Sequence, residues 1–275
     1  MTEIRKQLIS ILFVLILALG MVGCGVSGRT ADVSKTPTVD RIQQRGTLLI
    51  GTTGDYRPLS YKEPETGAYW GFDLDIAGEI ARKMNVTLTC VPTSWPALSA
   101  DVQYPGGFDF AIGGITITET RKETMDMSEG YLGNGKTILC RKEDAAKYTC
   151  REDLNHPEVR VMVNPGGLNE KFARENLPDC TLLIFEKNEE IPAQVVIGNA
   201  DVMITEVTEA PWYVQNDSRL AAPLIDHPFT RGEIGVLMRK GQEDLLELIN
   251  ATIQEMKANG SLSSLHEKYG LQYVY

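Results

Sequence analysis

The chain has 275 residues, of which 43% are hydrophobic, and a formal net charge of −10 at pH 7. This acidic balance argues against nucleic acid as a partner, because nucleic-acid-binding domains present basic faces. Five cysteines and three histidines are present without the spacing of a Cys/His metal site, so no metal centre is predicted. Cys150 and Cys180 could pair as a disulfide or remain small buried residues.

The first 24 residues, MTEIRKQLISILFVLILALGMVGC, are typical of a secretory signal. A charged start precedes an apolar run from Ile9 to Val22, which is too short and wrongly flanked for a membrane-spanning helix. The ending MVGC resembles a bacterial lipobox and predicts a lipid anchor on Cys24; the alternative is an ordinary signal cleaved nearby. Residues 25–38 then form a flexible tether, and the protein is expected to be exported to the periplasm or cell envelope.

Strands and helices alternate after the tether. GTLLIGTT predicts a strand, and YWGFDLDIAGEIARKMN predicts a helix. The apolar residues that keep a four-residue spacing in this helix are Phe72, Ile76, Ile80 and Met84. VTLTCVPT, WPALSADV and FDFAIGGI then predict a strand, a short helix and a strand. This order favours a mostly parallel sheet with helices on both faces.

The pattern restarts after residue 135. GKTILCRK, VRVMVNPG, TLLIFE and ADVMITEV predict strands, while LNEKFARENL and EIPAQVVIGN predict helices. A helix is expected to follow near Glu209. GEIGVLMRKG returns to strand, and the remaining segment predicts a helix pair broken near Gly260.

Two α/β lobes follow from this repetition, with chain crossings near 132–138 and 228–236. A ligand cleft between the lobes, at the carboxyl ends of strands, is the expected site. The predicted boundaries are 39–134 plus 234–275 for lobe 1 and 135–233 for lobe 2.

The segment VNPGGLNEKFARENL has the pattern of a strand end, a Gly-rich turn and a helix start. Such a turn can direct backbone N–H groups and a helix N-terminus at an anion. Asn169 lies where the helix opens, so it is either a helix cap or a residue that faces the cleft.

Three stretches resemble the family 3 extracellular solute-binding proteins, which capture amino acids for ABC transporters: RGTLLIGTTGDYRPLSY, GFDLDIAGEIARKM and FDFAIGGITITETRKETMDMSEGY. The resemblance covers about residues 40–270. It implies a periplasmic-binding-protein-like type II α/β fold, with two lobes around a hinged ligand cleft. It also implies that Arg121, in the TxTxxR segment, clamps a ligand carboxylate with two parallel charge-assisted bonds.

Within that family the chain is similar to the cyclohexadienyl dehydratases, periplasmic enzymes that act on prephenate or arogenate. TTGDYRPLSY, VPTSWPAL, GYLGNGKT, VNPGGLNEKFARENL and MITEVTEA carry this likeness. It implies that Glu209, Asn169 and Lys136 are catalytic. The residues implied to bind substrate are Arg121, Asp55, Tyr56, Trp95, Thr116, Gly114, Gly167 and Glu206.

Two positions depart from the dehydratase pattern. Leu168 stands where those enzymes have Thr, and Glu206 stands where they have Asp. In simple amino-acid binders that Asp holds the ligand's α-amino group, and a Glu is one methylene longer. The departure therefore favours prephenate, which has a keto group, over arogenate, which has an amino group.

The implied chemistry needs an acid and two anion-binding groups. Prephenate becomes aromatic when its ring carboxylate leaves as CO2 and its ring hydroxyl leaves as water, and an acid that protonates the hydroxyl accelerates such a step roughly 10²–10⁴-fold. Glu209 is the predicted acid, because burial and nearby carboxylates raise a carboxyl pKa. Arg121 and Lys136 would hold the carboxylates, Asn169 would fix the reacting group, and Trp95 would offer an apolar wall. No cofactor is required.

Other functions remain open at this stage. Glu209 could be an ordinary first-turn helix glutamate. The whole chain could be a transport receptor that binds an amino acid and works with an ABC permease, which a lipid anchor would suit. A sensory ligand-binding domain is a weaker alternative. Fold alone does not separate these functions.

Overall fold

The computed structural model describes residues 37–271. The predicted signal with Cys24, and residues 25–36 of the predicted tether, lie outside the described residues. Thr38, the last residue of that tether, is buried and begins the first helix. The elements up to the first crossing are α1 Thr38–Arg45, β1 Thr47–Thr52, β2 Asp55–Tyr56, β3 Ser60–Lys62, β4 Tyr69–Trp70, α2 Phe72–Met84, β5 Thr87–Pro92, α3 Leu98–Gln103, β6 Phe110–Ala111, α4 Glu119–Thr124, β7 Met125–Met127 and β8 Leu132–Asn134.

The second half repeats this alternation and then returns to the first lobe. Its elements are β9 Lys136–Arg141, β10 Arg160–Val163, α5 Leu168–Asn176, β11 Thr181–Ile184, α6 Ile191–Val196, β12 Val202–Glu206, α7 Ala210–Asn216 and β13 Leu220–Ala221. The returning segment contains β14 Gly232–Ile234, β15 Leu237–Arg239, α8 Glu243–Ala258 and α9 Ser261–Lys268. Short 3₁₀ helices span Lys142–Lys147, Glu152–Leu154 and Asn188–Glu190.

Lobe 1 is built on a five-stranded sheet with the order β5-β1-β6-β15-β7. β1 is parallel to β5 and β6, as predicted. β15 returns from the second half and is antiparallel to both β6 and β7. One apolar cluster joins the sheet to α1, α2, α8 and α9, and another lies under α3 on the opposite face. The predicted two-lobed α/β fold is confirmed, with antiparallel strands added at one side of each sheet.

α2 shows why the helix could be recognised from its sequence. Phe72, Ile76, Ile80 and Met84 are all fully buried, so the four-residue spacing does mark the core face. The helix ends at Met84, and the next residue, Asn85, caps it in the left-handed conformation with φ 56°.

Lobe 2 repeats the arrangement with the strand order β11-β10-β12-β9-β13. β10 is parallel to β11 and β12, whereas β9 is antiparallel to β12 and β13. Separate apolar clusters cover the two faces, one with α5 and the other with α6 and α7. The Gly-rich turn follows β10, and the segment that contains Glu209 follows β12. Because β10 and β12 are parallel, both segments lie at the same end of the strands.

The crossings contain a two-stranded ribbon. β8 and β14 pair antiparallel, from Asn134 opposite Gly232 to Leu132 opposite Ile234, at the predicted places. GEIGVLMRKG is not one strand, because the β ladder is interrupted at Gly235, whose N–H bonds the carbonyl of Ile115. The residue boundaries predicted for the lobes stay a proposal.

The described cysteines are free thiols, so Cys150 and Cys180 are not joined by a disulfide. Within residues 37–271, no helix has the length and apolarity needed to cross a membrane.

Candidate functional site

A small cavity lies between the lobes, where loops that follow parallel strands of both sheets meet. Its volume of about 20 Å³ is enough for water. Any ligand much larger than water would require the lobes to move apart. The cavity is lined by Tyr56, Trp95, Gly114, Thr116, Arg121, Lys136, Asn164, Gly167, Leu168, Asn169, Asn188 and Glu206.

Nine of the eleven predicted site residues line this cavity. The two that do not are Asp55 and Glu209, which lie behind its wall. Asn164, Leu168 and Asn188 line the cavity but were not predicted as site residues. Asn164 and Leu168 belong to the Gly-rich segment described above, so their place at the cavity could have been predicted from the sequence. No sequence pattern marks Asn188.

Glu206 is the most heavily bonded group in the cavity. It is 5% exposed, and Lys136, which is 6% exposed, forms a salt bridge with it. The Tyr56 hydroxyl donates a hydrogen bond to the other carboxylate oxygen of Glu206. Thr116 adds a long contact of 3.4 Å from its hydroxyl oxygen. The carboxylate of Glu206 is therefore satisfied by protein donors alone.

These contacts determine the pKa values of the ionisable side chains that line the cavity. Burial raises the pKa of Glu206, but the Lys136 ammonium and the Tyr56 hydroxyl outweigh it and hold the pKa below its usual value. Burial, followed by the nearby charge of Glu206, raises the pKa of Tyr56 well above its usual value, so Tyr56 stays a donor. Burial also lowers the pKa of Arg121, opposed by Glu206; an arginine remains charged at neutral pH all the same.

Asn169 and Lys136 are tied together at the start of α5. Lys136 Nζ donates to Asn169 Oδ1 at 2.6 Å. The residue at the N-cap position is Gly167, and Asn169 is the second residue of the helix, so Asn169 is not a helix cap. Its side chain is instead directed at the cavity wall shared with Lys136.

The Gly-rich turn brings the lobes together. Gly166 has φ 74°, and a Cβ there would come within 2.7 Å of Pro96 in lobe 1. Only glycine allows this approach. The N–H of Gly166 donates to Glu170 Oε2 at 2.7 Å, so this one amide is already bonded and does not contribute to the predicted anion cradle.

Trp95 and Asp55 form the wall on the lobe 1 side. The indole N–H of Trp95 donates to Asp55 Oδ1 at 3.1 Å, and its ring meets that of Tyr56 edge-on with centroids 6.0 Å apart. Burial raises the pKa of Asp55. Asp55 therefore orients the tryptophan from behind and does not line the cavity, contrary to prediction.

Glu209 is fully buried immediately before α7. Asn188 Nδ2 donates to Glu209 Oε1 at 2.6 Å, and the Thr205 hydroxyl donates to the other oxygen. Burial, reinforced by the charges of Glu206 and Asp55, raises the pKa of Glu209 to about 8 against the Thr205 and Asn188 hydrogen bonds. This pKa favours the protonated form of Glu209 at neutral pH, and the carboxyl lies behind Asn188.

Among residues 37–271, no cluster of three or more histidine, cysteine, aspartate or glutamate side chains could hold a metal ion.

Comparison with known proteins gives a family and near relatives. The model of the bacterial extracellular solute-binding proteins, family 3, matches residues 48–272. The chain is 39% identical over 204 residues to a cyclohexadienyl dehydratase of Pseudomonas aeruginosa, covering 74% of this chain and 75% of the relative. It is 29% identical over 231 residues to an L-cystine-binding protein of Escherichia coli, covering 84% and 85%.

A solved structure also connects the chain with both the dehydratase and the amino-acid-binding proteins. The crystal structure of the ancestral amino acid-binding protein AncCDT-1, described as a precursor of cyclohexadienyl dehydratase, matches with a TM-score of 0.78 and 38% identity. The match covers 84% of this chain and 99% of that one. The chain is thus similar both to an enzyme and to binding proteins of one fold.

Proposed function

The chain belongs to the family 3 bacterial extracellular solute-binding proteins, an exported family, and within it we propose that this protein is a prephenate dehydratase. It would convert prephenate to phenylpyruvate, with arogenate a poorer substrate. One observation carries the proposal: a carboxyl whose pKa is raised, Glu209, lies directly behind Asn188 in the wall of a cavity that is lined by a carboxyl whose pKa is lowered, Glu206, and by two cations. Two carboxyls driven to opposite ionisation states are characteristic of acid–base sites.

The charges of the cavity suit a dianion better than an amino acid. An α-ammonium group needs an accessible carboxylate, and Glu206 is already bonded to Lys136 and Tyr56. Arg121 has one nitrogen committed to the Thr116 carbonyl, at 2.5 Å. Its other donors leave room for a carboxylate. Lys136 gives two of its three donors to Glu206 and Asn169, which leaves one for a second carboxylate. Prephenate has two carboxylates and no amino group, which suits this arrangement of donors.

The proposed step balances without a cofactor. The bond from the ring to its carboxylate breaks, and its electron pair enters the ring as CO2 leaves. The bond from the ring to the hydroxyl oxygen then gives its pair to oxygen, which takes a proton from Glu209 and departs as water. Arg121 and Lys136 would hold the two carboxylates, and Asn169, bonded to Lys136, would orient the reacting end. Another proton must reach Glu209 before the next turnover.

Transfer of a proton from Glu209 to the substrate requires a local rearrangement. Asn188 separates Glu209 from the cavity and also donates to the backbone carbonyl of Asp55, at 3.2 Å, from the other lobe. Parting of the lobes would break the contact with Asp55. Substrate that displaces Asn188 on closure would then meet the Glu209 carboxyl directly. Catalytic hydrogen bonds commonly form only in such a substrate-bound state.

The proposal is tested by incubating purified mature protein with prephenate and following phenylpyruvate in the ultraviolet. We expect turnover without added metal or cofactor, and a slower rate with arogenate. The rival function is a receptor that binds an amino acid and hands it to an ABC permease, and the amino-acid-binding relatives favour it. Tight binding of an amino acid with no turnover of prephenate or arogenate would establish that rival.

Arg121→Ala is expected to weaken substrate binding, because it removes the carboxylate clamp in ground and transition states alike. A charge-assisted hydrogen bond contributes about 1.5–3 kcal/mol, which corresponds to a KM increase of roughly 10- to 150-fold. Steady-state kinetics with prephenate measure this increase in KM. Arg82→Ala is the control, since Arg82 forms only an exposed ion pair with Glu79 and should leave KM unchanged. An unaltered KM for Arg121→Ala would remove Arg121 from the site.

A further inference from the structure

A second cavity of about 330 Å³ adjoins the first, and we call it the vestibule. The two cavities share Thr116, Lys136, Leu168 and Glu206. At this inner end Lys136 and Glu206 are buried, whereas residues at the far end are exposed. The vestibule therefore leads from the site to solvent. It is bounded by lobe 1 at 116–118, by the crossings at 134–136 and 229–232, and by α5 of lobe 2.

The vestibule wall is positively charged in a negatively charged protein. Two carboxylates, Glu175 and Glu206, line the two cavities, and Glu206 is paired with Lys136. The cations that line them are Arg121, Lys136, Arg151, Lys171 and Arg231. The whole chain carries a net charge of −10. A dianion approaching most other directions would meet repulsion, so this local excess of cations matters more here than in a neutral protein.

The outer cations are exposed and loosely held. Lys171, on the first turns of α5, has a side chain that is 56% exposed and lies 3.9 Å from Glu175. Arg151 has a side chain that is 46% exposed; it pairs with the exposed Glu152 at 3.0 Å and makes a longer contact of 3.4 Å with Asn176. Solvent-exposed ion pairs of this kind contribute little free energy, so both side chains can turn toward an incoming anion. Behind them the rings of Phe172 and Phe229 stack with centroids 5.4 Å apart and form an apolar wall.

We infer that the vestibule is the route by which a dicarboxylate ligand reaches the site, and that Lys171 and Arg151 draw that ligand in. This inference rests on the proposed function, because it takes the ligand to be a dianion. The volume of the vestibule lies at the lower end of the range for small-molecule pockets, so a six-membered ring with two carboxylates fits within it. Cations around a cleft raise association rates by roughly 10- to 1,000-fold, and salt suppresses the effect.

The test is the association rate of prephenate with full-length mature protein carrying Lys171→Glu. Stopped-flow tryptophan fluorescence reports binding, since Trp95 lines the site. We expect the rate to fall about three- to tenfold at low ionic strength and to approach the wild-type value above about 0.5 M salt. The dissociation rate should change little, because Lys171 does not line the inner cavity.

Lys268→Glu is the matched control. Its side chain is 57% exposed and also has one carboxylate neighbour, Asp75, yet it lines neither cavity. Both variants change the net charge equally. Equal association rates for the two variants would overturn the inference while leaving the enzyme proposal intact. Binding without turnover by the wild type counts against the enzyme proposal alone, and failure of prephenate to bind at all overturns both.

Discussion

Glu209→Gln is expected to reduce the turnover of prephenate by roughly 10²–10⁴-fold, the loss that follows removal of a general acid. The substitution keeps the size and hydrogen-bonding capacity of the side chain and removes only its transferable proton. Affinity should survive, because Glu209 is mainly neutral at pH 7 and contributes little to ground-state binding. Lost turnover with retained affinity identifies an interaction made in the transition state.

The pH profile separates this role from a structural one. The pKa of Glu209 is about 8, so wild-type turnover should be present below that pH and fall as the carboxyl ionises above it. The residual rate of Glu209→Gln should be flat across the same range. Glu209→Asp is the control, since it retains an acidic proton and should recover part of the rate. Turnover of Glu209→Gln within tenfold of the wild type would show that another group supplies the proton.

The stability of the fold supplies a second readout for the same residue. Glu209 has a pKa of about 8 in the fold against an ordinary value of 4.5. The stability that comes from its protonation is therefore complete below 4.5 and is lost as the pH rises through 8. Urea unfolding of the wild type, compared with Glu209→Gln, should show the wild type losing stability over that interval.

The sequence predicted those parts of the site whose local signals agree with their role. The strand end and helix start around the Gly-rich segment located the turn that carries Gly167 and Asn169, and the resemblance to the dehydratases assigned both residues to the site. Trp95 and Arg121 were assigned in the same way, after β5 and β6. The four-residue spacing of α2 gave its buried face correctly.

Other features depend on contacts that no local pattern contains. Asn188 lies in a short 3₁₀ helix and reaches the site only because that segment meets Asp55 of the other lobe. The complete burial of Glu209 results from packing around β12 and α7; the local sequence indicated only a helix nearby, and burial was expected only from the resemblance to the dehydratases. The ribbon of β2, β3 and β4 consists of strands of two or three residues, which are too short to show a period-two pattern.

Lys136→Met is expected to destabilise the fold by about 3–5 kcal/mol, because it leaves the buried Glu206 carboxylate without its cation. For a domain of this size that corresponds to a fall in Tm on the order of 10 °C. The variant should also raise the pKa of Glu206, since burial then acts with less opposition. Equilibrium urea unfolding measures the loss, and the loss should shrink at low pH as Glu206 becomes protonated.

Adding Glu206→Gln to Lys136→Met separates the two roles of this lysine. The double variant no longer buries an unpaired charge, so most of the stability should return. Turnover of prephenate should not return, because the cation proposed to hold a substrate carboxylate is still missing. If the double variant recovers both stability and turnover, Lys136 serves only to neutralise Glu206. If Lys136→Met alone is as stable as the wild type, the Lys136–Glu206 ion pair contributes no net stability. Ligand binding is then the only role left for this pair in the cavity wall.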